Sequence, residues 1–180
     1  MSNIAVATRY AKPLLELAEE KNALDQVYTD LKLYQDTIQR NPELRAVMLN
    51  PVIHGMKKLS ILEKLFKAKV HALTYAMIEL LSRKNREEIL FEVCEAYSKL
   101  YNEKKGILYV RVQTSIALDE SQQKALQTKL AQQLQKTIVL LEEVKPDLIG
   151  GLVLLIEDKI IDNSIRNSLK GLRKKFTQQI

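Results

Sequence analysis

Apolar residues recur three and four positions apart through the first hundred residues, the spacing of an amphipathic helix. Ile4, Ala7, Ala11, Leu14, Leu15 and Ala18 mark a first stripe. Pro13 falls inside it and predicts a bend or an interruption, because proline removes a backbone donor and crowds the preceding turn. Leu24, Val27, Tyr28, Leu31, Tyr34 and Ile38 mark a second helix. Asn41-Pro42 predicts the N-cap and first position of a third, which carries Leu44, Val47 and Met48 and stops at Asn50-Pro51. Leu59, Leu62, Leu65 and Phe66 give a fourth, and Ala72, Leu73, Ala76, Leu80 and Leu81 a fifth. Asn85, with Glu88 three positions on, has the form of a capping box. It is expected to open a sixth helix bearing Ile89, Val93, Tyr97, Leu100 and Tyr101. Short connections between these segments predict a six-helix bundle over residues 1–105.

The rhythm changes at Gly106. In ILYVRVQT, Leu108, Val110 and Val112 alternate with Tyr109, Arg111 and Gln113, the period of a half-buried strand. The polar run NEKKG, residues 102–106, is the expected linker. Asp119, with Gln122 at the third position, caps a helix striped by Leu126, Leu130 and Leu134. Residues 138–144 read as a second strand. The stretch PDLIGGLVLLIEDKIIDNS then reads as a strand, a tight turn at EDK and a short strand. A last helix carries Ile161, Ile165, Leu169, Leu172 and Phe176 on one face. The expected fold is therefore mainly α with a small α+β part: an N-terminal six-helix bundle, then a β-α-β-β-α domain over residues 106–180.

Composition agrees, with a chain rich in Leu, Ala, Lys, Glu and Gln and only five Gly and four Pro in 180 residues. The net charge of +6 divides evenly, since residues 1–105 hold 17 basic and 14 acidic side chains and residues 106–180 hold 11 and 8. That evenness disfavours a basic nucleic-acid-binding protein, the main alternative reading, which needs its charge on one face. The one concentration follows Asp162: no acid comes after it, while Arg166, Lys170, Arg173, Lys174 and Lys175 do. Such a helix is either solvated, its cations matching the macrodipole, or a surface for nucleic acid, anionic lipid or an acidic partner. The start, MSNIAVATRY, lacks the apolar run of a secretory signal. No run approaches the roughly 20 apolar residues of a membrane span.

Catalytic chemistry finds no constellation. His54 and His71 have no supporting carboxylate or cysteine spacing, so no metal site is expected. Cys94 stands alone beside Val93 and Tyr97 and reads as a small core residue. Gly150-Gly151 precedes LVLLI rather than a helix, and no Gly-Lys-Ser/Thr follows, the reverse of a phosphate loop. The glycines read as a strand entrance that allows close backbone approach. Glu142 and Glu143 are neighbours on a strand and face opposite sides, so they cannot pair on a substrate. Asp158 fits a turn, and Asp162 or Ser164 fits a helix cap. No cofactor is expected, and a binding or scaffolding role remains.

The stretch PDLIGGLVLLIEDKIIDNSI, followed by RNSLKGL, resembles the pattern of the delta subunit of F-type ATP synthase, the family of the mitochondrial oligomycin-sensitivity conferral protein. The matching positions are Leu148-Ile149-Gly150-Gly151, Asp158 and Asp162-Asn163-Ser164. ATRYAKPLLELA is similar to the family's Arg-Tyr-Ala start, and Asn85-Arg86 after Leu80-Leu81 is similar to its mid-chain segment. Two departures stand out: members often have Gly where Glu157 stands, and Pro13 enters a helix usually free of proline.

The resemblance implies a non-catalytic stator subunit that binds no nucleotide and moves no proton. The N-terminal bundle would grip the N-terminal helices of the alpha subunits, through a groove of the first and fifth helices with Tyr10, Ala11 and Leu14. The C-terminal domain would meet the b subunits of the peripheral stalk. In that domain Gly150, Gly151, Asp158, Asp162 and Ser164 would be structural, and the basic face of Arg166, Lys170, Arg173, Lys174 and Lys175 would meet acidic stalk residues. The chain would then lie on the cytoplasmic side of the membrane, touching it only through the complex.

Overall fold

A computed structural model describes residues 3–177, with side chains over 4–174. The chain divides after Lys104 into two compact units, a helical one and one built on a sheet.

The first unit contains α1 (Asn3–Glu20), α2 (Leu24–Arg40), α3 (Pro42–Leu49), α4 (Gly55–Phe66), α5 (Ala72–Arg83) and α6 (Leu90–Lys105). Its interior is filled from every helix: Ala7, Ala11, Leu14, Val27, Leu31, Met48, Leu62, Ile78, Leu81, Val93, Cys94 and Tyr97 are almost wholly removed from solvent. Five expectations need correction. Helix α1 runs on through Pro13. Pro13 and Arg9, whose carbonyl loses its intrahelical donor, both lie on the exposed face of the helix. Asn41 precedes Pro42 as expected, but its side chain caps nothing in α3; its Nδ2 donates to the Thr37 carbonyl at the end of α2.

Asn85 does not open the sixth helix. It sits at φ 52 and closes α5, with its N–H donating to Ser82 O and the Arg86 N–H to Leu81 O. That is a Schellman end with Asn in the left-handed position. A 3-10 turn over Glu87–Ile89 then leads into α6. The fifth stripe is also rotated from its expected place. Thr74, Met77, Ile78, Leu81 and Ser82 face the core, while Ala76 and Leu80 are exposed. Finally, residues 102–105 form the last turn of α6, so Gly106 alone separates that helix from the first strand.

One cross-helix contact fixes where α5 starts. The buried Asp30 carboxylate of α2 accepts from the His71 N–H at 2.6 Å and from the Thr74 hydroxyl at 2.9 Å. A carboxylate at a helix N-terminus satisfies orphan donors and suits the dipole.

The second unit is built on a four-stranded sheet in the order β2-β1-β3-β4. Its elements are β1 (Ile107–Thr114), α7 (Glu120–Leu134), β2 (Thr137–Val144), β3 (Gly151–Ile156), β4 (Lys159–Ser164) and α8 (Ile165–Thr177). β1 pairs parallel with β2 and antiparallel with β3, and β3 pairs antiparallel with β4. A parallel pair needs a crossover, which α7 provides. Leu108, Val110, Val112, Ile138 and Leu154 of the sheet pack with Leu130 of α7. The Asp119–Gln122 capping box is formed in both directions. The residues before Gly151 form a 3-10 turn over Pro146–Leu148 rather than a strand. Ile161 belongs to β4, not to the last helix.

Candidate functional site

The glycine-rich stretch is resolved by its contacts. Gly151 has φ +76 and pairs with Ser164 across β3 and β4. A Cβ on Gly151 would overlap the Asn163 carbonyl oxygen and come within 3.1 Å of Ser164 Cα. A Cβ on Gly150 would lie 2.7 Å from Ile165 Cδ1. At both glycines the Cβ direction is thus taken up by protein atoms, the close approach expected of a strand entrance. Asp158 lies in the β3–β4 turn, where Glu157 takes φ 51. Ser164 is buried and caps α8, its hydroxyl accepting from the Asn167 N–H at 3.1 Å. The Asp162 carboxylate accepts from the Ser164 N–H at 2.9 Å. Hydrogen bonding from the Ser164 side chain, then from its backbone, holds Asp162 below the usual carboxylate range.

Several other titratable groups likewise serve structure. Glu142 accepts from the Leu118 N–H and Gln123, whereas Glu143 pairs with Gln113 and Lys145, so these neighbours do face separate partners. His71 Nδ1 accepts from the Leu73 N–H at the start of α5. Burial pushes the Cys94 thiol far up, so no reactive thiolate forms at neutral pH. Among the described residues no group of three or more His, Cys, Asp or Glu could hold a metal ion. Among them, too, no helix is long and apolar enough to cross a membrane.

What the molecule offers is surface. On α1, Ala11 and Leu14 are buried core residues, so a partner reaches them only through their neighbours. Tyr10 is half-buried, and its hydroxyl accepts from Arg86 Nη1 at 3.4 Å, joining two of the stretches singled out in the sequence. Helical spacing puts Val6 and Leu17 on the same flank of α1 as Tyr10. Leu17 is 45% exposed. Helix α1 packs on α5, whose Tyr75 flank is occupied by Lys67 at the end of α4. Spacing then leaves Leu73, Ala76 and the 42% exposed Leu80 on the flank away from Tyr75. Both of these packed helices thus carry exposed apolar side chains, Leu17 on α1 and Leu80 on α5. Leu80 was missed as a surface residue because it sits within a stripe that reads as core, and Leu17 because it lies outside the stripe of its helix.

In the second unit, Arg166, Lys170, Arg173 and Lys174 are exposed along α8. Lys175 and Phe176 have side chains outside the described residues. Ile165, Leu169 and Leu172 form an apolar stripe, each about half exposed, and helical spacing puts Arg166, Lys170 and Arg173 along one side of it. A helix that leaves its apolar stripe half in water has spare surface for a partner.

Comparison with known proteins places these features in a wider set. The family model described as the ATP synthase delta (OSCP) subunit matches residues 6–176. The chain is 37% identical to the ATP synthase subunit delta of Cytophaga hutchinsonii over 180 residues, covering 100% of this chain and 98% of that one. It is 36% identical to the protein of the same description from Amoebophilus asiaticus, covering 98% and 96%. A chain in the cryo-EM structure of the Toxoplasma gondii mitochondrial ATP synthase hexamer shares the fold, with a TM-score of 0.75 at 23% identity over 95% of this chain and 97% of that one.

Proposed function

The chain belongs to the ATP synthase delta (OSCP) subunit family, and on that premise we propose that it is the stator link of an F-type ATP synthase, holding the catalytic head to the peripheral stalk. It is a structural, non-catalytic subunit of the complex. Such a link stops the head from turning with the rotor, so that rotation does conformational work at the nucleotide sites. The observation that carries this reading is the family match over both units, 171 consecutive positions from residue 6 to 176.

The six helices of the first unit act as the clamp on the head. A groove of α1 and α5 takes an amphipathic N-terminal helix of an alpha subunit, a helix-in-groove contact read through positions three and four apart. Tyr10 touches that helix, Ala11 and Leu14 support the floor, and Leu17, Ala76 and Leu80 supply apolar contact. The second unit meets the b subunits through α8, where Arg166, Lys170, Arg173, Lys174 and Lys175 face acidic stalk residues. The chain sits on the cytoplasmic face of the membrane as a peripheral subunit.

Removing the subunit from the purified complex and adding it back tests the role. Proton-driven ATP synthesis should vanish on removal and return on addition, while ATP hydrolysis by the detached head persists. Full coupling without the subunit would refute the reading.

A further inference from the structure

Five non-glycine residues among those described have positive φ, and four have an ordinary reason for it. Asn22, Asn85 and Gln135 follow the ends of α1, α5 and α7, and Glu157 is in the β3–β4 turn. The fifth is Ile149, at φ 68 and ψ −40. A β-branched residue is a poor occupant of that region, because its Cβ crowds the backbone. Its side chain does not repay the strain within the chain, since Ile149 is 63% exposed. The loop is nonetheless tightly held. The Ile149 N–H donates to Pro146 O at 3.0 Å, the Leu148 N–H to Lys145 O at 3.1 Å, and the Ile165 N–H to Gly150 O at 3.0 Å.

Those bonds place a strained, exposed isoleucine beside the start of α8. Ile165 Cδ1 lies against Gly150, and Leu169 and Leu172 continue the apolar line along the helix. Arg166, Lys170 and Arg173 run along one side of that line, and no acidic residue follows Asp162 in the chain. We infer that Ile149 is the anchor of a docking patch with Ile165, Leu169 and Leu172, and that the patch takes an acidic amphipathic helix. Local strain held in place by surrounding structure is a mark of a binding feature when the strained side chain gains its contacts from a partner. The cations choose an acidic occupant, and the apolar line of residues 165, 169 and 172 matches a helix laid alongside. This inference rests on the reading that the second unit faces the stalk, and it names the anchor and the charge of the partner helix.

The test uses the full chain with Ile149→Gly, which removes the knob and relieves the backbone together. The probe is the water-soluble region of the b subunit of the same complex, and an alpha-subunit N-terminal peptide is the control. The wild-type chain should bind both probes. Ile149→Gly should bind the stalk segment about tenfold more weakly, the loss expected from leaving one isoleucine unburied. Its affinity for the alpha peptide should not change, and its Tm should be equal or higher. Unchanged stalk affinity would overturn the inference and leave the stalk reading standing. A wild-type chain that holds the alpha peptide but not the stalk segment would overturn both. A lower Tm would make Ile149 a packing residue and overturn the inference. A defect confined to phosphatidylglycerol vesicles, or to self-association, would assign the patch to lipid or to a second copy and overturn it too.

Discussion

Gly151→Ala separates architecture from ligand binding in the glycine-rich stretch. Alanine at φ +76 pays the left-handed penalty of about 1–2 kcal/mol. The new methyl also overlaps the Asn163 carbonyl oxygen, which belongs to the backbone of the paired strand. Backbone cannot swing aside as a side chain can, so β3 and β4 must part at the Gly151–Ser164 pair. That pair sits where Ser164 caps α8 through the Asn167 N–H, and a lost cap costs about 1 kcal/mol. The sum is about 2–3 kcal/mol, confined to the second unit. Urea unfolding followed by far-ultraviolet circular dichroism, with truncated single units as references, reads it. Gly171→Ala is the control, for nothing lies within 4 Å of its added methyl and the residue is in a helix. It should stabilise by about 0.5–1 kcal/mol. If Gly151→Ala left stability within about 0.5 kcal/mol of wild type, the steric argument would be wrong and the glycines would need a functional explanation.

Asp30→Ala should destabilise the first unit by about 2–3 kcal/mol, because the His71 N–H and the Thr74 hydroxyl lose their buried acceptor; Asp30→Asn keeps an acceptor and should cost less in the same unfolding assay. Glu157→Gly should raise the stability of the second unit by up to about 1 kcal/mol, since Glu157 holds φ 51 in a two-residue turn; a fall in the urea midpoint would refute this. Asp119 and Asp162 are both held low, Asp119 chiefly by the Ser121 hydroxyl and then the Gln122 N–H, and Asp162 chiefly by Ser164. A depressed carboxylate favours the fold above its unfolded pKa and loses that contribution as pH falls through its folded value. The second unit should therefore weaken below about pH 4, and Asp119→Asn with Asp162→Asn should flatten a pH series of urea midpoints; an unflattened series would refute the assignment. Leu17→Glu with Leu80→Glu should weaken binding of an alpha-subunit N-terminal peptide at least tenfold while thermal unfolding stays put. Leu14→Ala, at a 2% exposed position, should cost about 3 kcal/mol of stability.

How much of this was legible in the sequence depended on whether one residue type admits one physical role. Asp119 with Gln122 was readable because the aspartate, the glutamine and the stripe beginning at Leu126 all point to a helix start, and the reciprocal cap is formed. Alternation at Leu108, Val110 and Val112 was readable because burial follows the period of two. Asn85 was misread because asparagine suits an N-cap and a left-handed C-terminus equally, and only the Leu81 and Ser82 carbonyls behind it decide. The fifth helix was misread because it is apolar on two faces, so periodicity alone could not choose between Met77–Ile78 and Ala76–Leu80. Ile149 carried no local signal, since nothing in a β-branched residue announces positive φ. Its conformation is set by hydrogen bonds from Lys145 to Ile165, which the sequence does not display.

The misreading of the fifth helix has a cause that bears on function. A helix buried on one face and polar on the other is read correctly from its stripe, and it has nothing left to offer a partner. A helix such as α5 or α8 confuses the pattern because its apolar residues exceed what its own unit covers. Leu80, Leu169 and Leu172 stay 42%, 51% and 51% exposed for that reason. Each unit nevertheless closes its own core around residues such as Tyr97 and Val110, both fully buried. Folding and binding are thus assigned to different residues. Substitutions beneath the surface should move unfolding midpoints, and those on the surplus apolar flanks should move only affinities. A subunit that folded on its partners would mix the two effects at Leu17 and Ile149, so measuring both quantities for both variants decides whether this chain is a preformed clamp or one completed by assembly.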